Sequence, residues 1–162
     1  MPSYGPQTLQ TVGNARQLIA SGLENVRWKV GGITMDWATV PAVTGSDVVL
    51  LNGTVIKVGE KYLPMGTIVS KITVSGKYGP ARTNAADGRE VLTRSECFLL
   101  NEDISENAPA STGAIVQGMP SDHPPVFDGG TIWKSLLKVG GTNEVTLANF
   151  LIAFPAIDFA SM

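Results

Sequence analysis

Residues 48–58 hold the tightest constraint in this chain: Val48-Val49-Leu50-Leu51, then Asn52-Gly53, then Thr54-Val55-Ile56-Lys57-Val58. β-Branched side chains lose rotamer freedom in a helix and pack well on a pleated surface. Asn-Gly supplies two adjacent residues that accept positive φ, which the turn of a tight hairpin requires. The stretch is therefore predicted to be a β-hairpin. Asn52-Gly53-Thr54 also matches a glycosylation sequon. That reading needs a secretory route, and residues 1–10 lack the basic start and apolar core of a signal peptide, so none is expected.

The same texture recurs along the chain. Its 18 glycines and 10 prolines are spread through the 162 residues, so they read as many turns between short elements rather than one disordered tract. Residues 26–30 alternate apolar and polar, the period of a half-buried strand. Residues 33–40, carrying Trp37, are a second candidate strand, with a turn at 41–47. Residues 66–74 form another, with Ile68, Ile72 and Val74 on one face, and Gly76-Lys77 begins a turn. A loop is expected at 79–90, a strand at 91–100, a short strand at 114–116 and a long loop at 120–130, where Asp122, Pro124, Pro125 and Gly129 favour turns.

The C-terminal region changes period. Trp133, Leu136 and Leu137 share helical spacing within 132–137, and Gly140-Gly141 would stop that helix. A second helix is expected over 143–154, capped by Asn143, with Glu144 in its first turn. The predicted fold class is mainly β with short C-terminal helices (α+β). The predicted organisation is one β-rich domain over 26–162 preceded by a flexible arm, residues 1–25, that orders on contact.

Charge and chemistry narrow the function. Charged residues are 16% of the chain, against about 25% in an ordinary soluble domain. Mean hydropathy is +0.13. So little charge favours association, and part of the surface is expected to be covered by copies of the chain or by a partner. A net charge of −2 offers no basic excess for phosphates, so nucleic acid is not an expected partner. The longest apolar stretch, residues 147–157, is interrupted by Asn149 and Pro155 and is too short to span a bilayer, so no membrane is expected either.

No catalytic, cofactor-binding or metal-binding residue is assigned. The single histidine, His123, and single cysteine, Cys97, cannot close a zinc site without two carboxylates. Cys97, beside Phe98 in an expected strand, reads as a small core residue, and one cysteine forms no disulfide within the chain. Ser75-Gly76-Lys77-Tyr78 fails as a phosphate loop, because Lys71 stands where the first glycine belongs and Tyr78 replaces Ser/Thr. Asn101-Glu102-Asp103 with Glu106 is the densest acidic cluster, but it lacks calcium-loop spacing and reads as a solvated turn.

One series of motifs has a family look. Tyr62-Leu63-Pro64-Met65-Gly66-Thr67 leads into Ile68–Thr73, then Ser75-Gly76-Lys77-Tyr78, then Ala86-Asp87-Gly88-Arg89-Glu90, then Cys97-Phe98-Leu99-Leu100-Asn101-Glu102-Asp103-Ile104, then a short apolar stretch at 114–118. In this order they resemble the head decoration proteins of tailed bacteriophages, the group that includes the lambda head decoration protein. The likeness covers about residues 47–155. Residues 1–46, with Trp28 and Trp37, and the stretches 105–112 and 120–130 exceed the family pattern.

The resemblance implies a compact clip-like β-domain with an extended N-terminal arm. It also implies a capsid cement protein without enzymatic activity or cofactor. Such a protein forms a homotrimer at three-fold sites of the expanded head and has the major capsid protein as partner. It is made in the host cytoplasm and ends on the virion surface. A carbohydrate- or receptor-binding β module is the alternative if Trp28, Trp37 and Trp133 form an exposed platform; otherwise they are core or interface residues. A clip-fold nucleotide hydrolase is a further alternative, for which Asp87-Gly88-Arg89 offers only a superficial match.

Overall fold

Four consecutive buried residues decide the centre of the molecule. A strand sends successive side chains to opposite faces, so a strand that is apolar at every position must be covered on both. In the computed structural model, which describes residues 18–20, 26–29, 33–49, 55–93, 96–106 and 126–160, Cys97–Leu100 is such a strand. Cys97 and Leu99 pack in one core with Leu18, Ile19, Ile68, Ile132, Phe150 and Phe154. Phe98 and Leu100 pack in a second core with Met35, Leu63, Val69, Tyr78, Ile104 and Val126. Each fully buried Leu or Phe contributes about 1.5–3 kcal/mol through lost apolar hydration.

In chain order the described strands are β1 Arg27–Trp28, β2 Val48–Val49, β3 Val55–Ile56, β4 Tyr62–Leu63, β5 Ile68–Lys71, β6 Tyr78–Pro80, β7 Cys97–Leu100, β8 Ile104–Ser105, β9 Val126–Ile132 and β10 Ile157–Phe159. Among the described residues one α-helix, α1 Leu147–Ala153, precedes β10. The main sheet runs β1-β9-β7-β5-β6, with β10 also on β9; β2-β3 and β4-β8 form separate two-stranded ribbons. The chain is therefore mainly β with a short C-terminal helix, as the sequence predicts.

The hub of the sheet, β9, is where the sequence reading fails most. The Gly129-Gly130 pair lies in the expected loop, and Ile132 begins an expected helix. Instead Val126–Ile132 is the longest described strand. It pairs antiparallel with β7 and β1 and parallel with β10. Leu18–Ala20 adds a further pairing: Trp133 N–H donates to Leu18 O at 3.0 Å and Ala20 N–H to Thr131 O at 2.8 Å. The glycines serve close approach rather than a turn. A Cβ on Gly129 would lie 3.2 Å from Arg27 Cβ and 3.4 Å from Ala156 Cβ, and Gly130 has φ +135°. Beyond β9 the expected helix shrinks to a 3-10 turn, Lys134–Leu136.

Leu18 and Ile19 are fully buried although they fall within the stretch expected to be an arm. Ala20 is half-buried beside them, whereas residues 1–17 and 21–25 lie outside those described, as do the expected strand at 114–116 and residues 120–125 of the expected loop.

Other boundaries moved for local reasons. The expected strand at 33–40 is a single parallel bridge from Met35 to Tyr78 followed by a 3-10 turn, Trp37–Thr39. Asp36 caps that turn by accepting from Ala38 N–H at 3.1 Å. Strand β5 ends at Lys71, because residues 73–75 turn; Ile72 is buried but Val74 is 96% exposed, so the three do not share a buried face. Residues 91–93 are irregular, leaving β7 shorter than expected, and β6 takes Gly79-Pro80 from the expected loop.

The C-terminal helix begins one turn later than expected. Asn143 has φ +61°, and its carbonyl accepts from Thr83 N–H at 3.1 Å, which holds it in a turn. Glu144 accepts from Gly141 N–H. Thr146 is the cap, accepting from Asn149 N–H at 3.2 Å. The helix buries Phe150 and Ala153. Phe150 stacks on Phe154 with ring centroids 4.8 Å apart.

Gly66 ties the two ends of the domain together. Its φ is +82°, and an added Cβ would collide with the carbonyl oxygen of Leu136. The Gly66 carbonyl accepts from Lys138 N–H at 3.1 Å, while its own N–H donates to Leu100 O at 2.9 Å.

Candidate functional site

The β2-β3 ribbon stands outside both cores. Val48 pairs with Ile56, and Val49 with Val55. Ile56 is buried against the body, whereas Val49 is 67% and Val55 43% exposed. Directly paired residues lie on the same face, so these two valines form an apolar cross-strand pair turned to solvent. Val58, also about half exposed, follows the ribbon. The expected Asn52-Gly53 turn lies outside the described residues.

The base of the ribbon is tied to its neighbours by hydrogen bonds. Asp47 accepts from Lys57 Nζ at 2.9 Å and from Val58 N–H at 3.0 Å. These contacts hold the exposed Asp47 carboxyl below its ordinary range and the Lys57 ammonium above its own, the hydrogen bond between them being the main cause of both shifts. Glu60 accepts from Lys57 N–H at 2.8 Å, and Gly59 N–H donates to Val43 O at 2.9 Å. An apolar surface on a pinned ribbon loses little conformational entropy when it docks.

A second feature lies where β4 meets the loops around residues 82 and 138–145. A cavity of about 240 Å³ opens there, floored by Leu63, Ile68, Ala81 and Val145, with Arg82, Lys138 and Glu144 among its polar walls.

The residues weighed for chemistry are spent on structure. Cys97 is buried and its Sγ donates to Thr93 O at 3.0 Å; burial, with smaller contributions from Asp128 and Glu96, pushes the thiol up to about 12. A thiol so placed is almost wholly protonated at neutral pH and a poor nucleophile. Arg89 of the Asp87-Gly88-Arg89 loop donates from Nε to both Asp87 oxygens at 3.0 Å and from Nη1 to Pro80 O at 3.1 Å, which ties the loop to β6. Asp103 accepts from Met65 N–H at 2.7 Å. Glu102 is raised by burial and, secondarily, by Asp103. Glu102 Oε2 and Asn101 Oδ1 are buried with no hydrogen-bond partner among the described residues.

Among the described residues no group of three or more His, Cys, Asp or Glu side chains could hold a metal ion. His123 lies outside those residues. Trp37 packs against the second core and Trp133 is half-buried. Neither the exposed valine pair nor the cavity was singled out from the sequence. The β-branched runs around Asn52-Gly53 predict the hairpin but cannot say which of its faces meets the body. No helix among the described residues is long and apolar enough to cross a membrane. No family model, curated protein or solved structure matches the chain.

Proposed function

We propose that this chain is a capsid decoration protein that binds the expanded head of a tailed phage as a homotrimer, with the major capsid protein as its partner on the virion surface. The observation that carries the reading is the latched β2-β3 ribbon, which presents Val49 and Val55 to solvent in a chain of unusually low charge. Exposed apolar area held rigidly is what a cementing contact uses, since it needs area and complementarity rather than converging reactive groups. The motif series supports the same reading. Its Leu63-Pro64-Met65-Gly66-Thr67 segment forms the tight link from β4 to β5, and its Asp87-Gly88-Arg89 segment is a loop closed on itself by an ion pair. A decoration protein stabilises a shell by mass action, binding one form of it and not the other, and gains from many copies on one lattice.

The test is co-sedimentation of the purified chain with undecorated phage heads, compacted and expanded. Binding to expanded heads alone, in multiples of three copies, is the expected outcome. Equal binding to both forms, or to neither, overturns the proposal.

A further inference from the structure

The cavity beside β4 has a chemistry that the decoration reading does not use. Its described lining is mainly apolar and includes two cations, Arg82 and the exposed Lys138. Neither makes an ion pair among the described residues; Arg82 reaches only the Thr142 carbonyl, at 3.4 Å. Among the described residues the wall holds one carboxylate, Glu144, which accepts from Gly141 N–H at 3.1 Å. The described lining therefore offers an apolar slot edged by two cations and one carboxylate, a net positive charge, in a chain whose net charge is −2.

Size decides between occupants. At about 240 Å³ the space is smaller than the roughly 300–1,000 Å³ typical of cofactor and small-molecule pockets, and it suits one large side chain. We infer that this cavity captures an extended acidic segment of a partner protein, taking a leucine-sized side chain onto Leu63, Ile68, Ala81 and Val145 while flanking carboxylates meet Arg82 and Lys138. Apolar burial supplies the affinity and the two cations supply the preference for acidic neighbours. The inference goes beyond the proposed function and does not depend on it.

The experiment is a titration of the ¹⁵N-labelled full chain with a blocked pentapeptide in which leucine lies between two aspartates. Amide resonances of Leu63, Ala81 and Val145 are expected to move together. Replacing both aspartates by asparagine, or the leucine by glycine, is expected to weaken binding about fivefold to tenfold, as is Lys138→Glu, a rim change that leaves the spectrum folded. Absence of shifts at several millimolar peptide (about 5 mM) overturns the inference, as do equal affinity for the asparagine peptide and unchanged binding by Lys138→Glu. Binding of isovalerate as tightly as the peptide also overturns it, because the occupant would then be a small apolar acid. A positive titration in a chain that ignores phage heads would end the decoration reading and leave this one standing.

Discussion

The central sheet and the β2-β3 ribbon use the same kinds of residue for opposite ends. In β7 every side chain is buried, alternating between two cores. In the ribbon Ile56 is buried, while Val49 and Val55 face water. β-Propensity and apolarity make both segments strands, but only neighbours on both faces make a strand part of the core. Stability is thus concentrated in the sheet and its two layers, and recognition can be placed on the ribbon without endangering the fold.

The largest expected effect tests the first half of that contrast. Phe150→Ala removes a fully buried ring stacked on Phe154 and is expected to cost about 3–5 kcal/mol in denaturant unfolding. A loss under about 1 kcal/mol would show that α1 is not part of the stabilising layer. Next is Gly66→Ala. Positive φ and the collision with the Leu136 carbonyl together predict a loss of about 2–4 kcal/mol. A neutral result would mean that the turn after β9 does not pack on Gly66.

The ribbon should respond the other way. Changing Val49 and Val55 together to threonine keeps the β-branched shape and is expected to move stability by less than about 0.5 kcal/mol. The same change should lower binding to expanded heads about tenfold in co-sedimentation, since apolar anchors carry a disproportionate share of an interface. Unaltered head binding would break the division of labour between ribbon and sheet.

The smallest effect concerns a polar flaw beside the core. Burial raises Glu102, with Asp103 adding to the shift, so the folded state holds its proton more tightly than the unfolded chain does. The stability linked to that proton is complete below the unfolded carboxylate range, near pH 4, and is lost as pH rises through the folded value. At neutral pH Glu102 therefore weakens the fold. Glu102→Gln is expected to raise stability there by up to about 1 kcal/mol, and the gain should vanish in acid, as unfolding curves at pH 4 and pH 7 would show. A gain that persists in acid would trace the effect to packing instead.

Much of the local design is legible from residue order. Val48–Val49 and Val55–Ile56, on either side of Asn52-Gly53, do pair antiparallel, and the apolar run at 97–100 is a buried strand. The site is far less legible. Both faces of this hairpin are apolar, so whether Val49 or Ile56 meets the body depends on which side the rest of the chain occupies. The cavity draws its walls from residues as distant in sequence as Leu63 and Val145, and no periodicity links them.

By itself, the sequence determined that this chain is built from short strands and many turns and carries a short helix near its C-terminal end, because backbone preference and side-chain period act over a few residues. Tertiary structure alone decided that Val126–Ile132 is the hub of the sheet, despite two glycines that locally signal a turn. It also decided that Asn143 is held in a turn instead of capping a helix, and that Leu18 and Ile19 complete the core. For β9 and for Leu18 and Ile19, long-range pairing outweighs a local preference of about 1 kcal/mol: closing a ladder satisfies several backbone groups and buries several side chains at once.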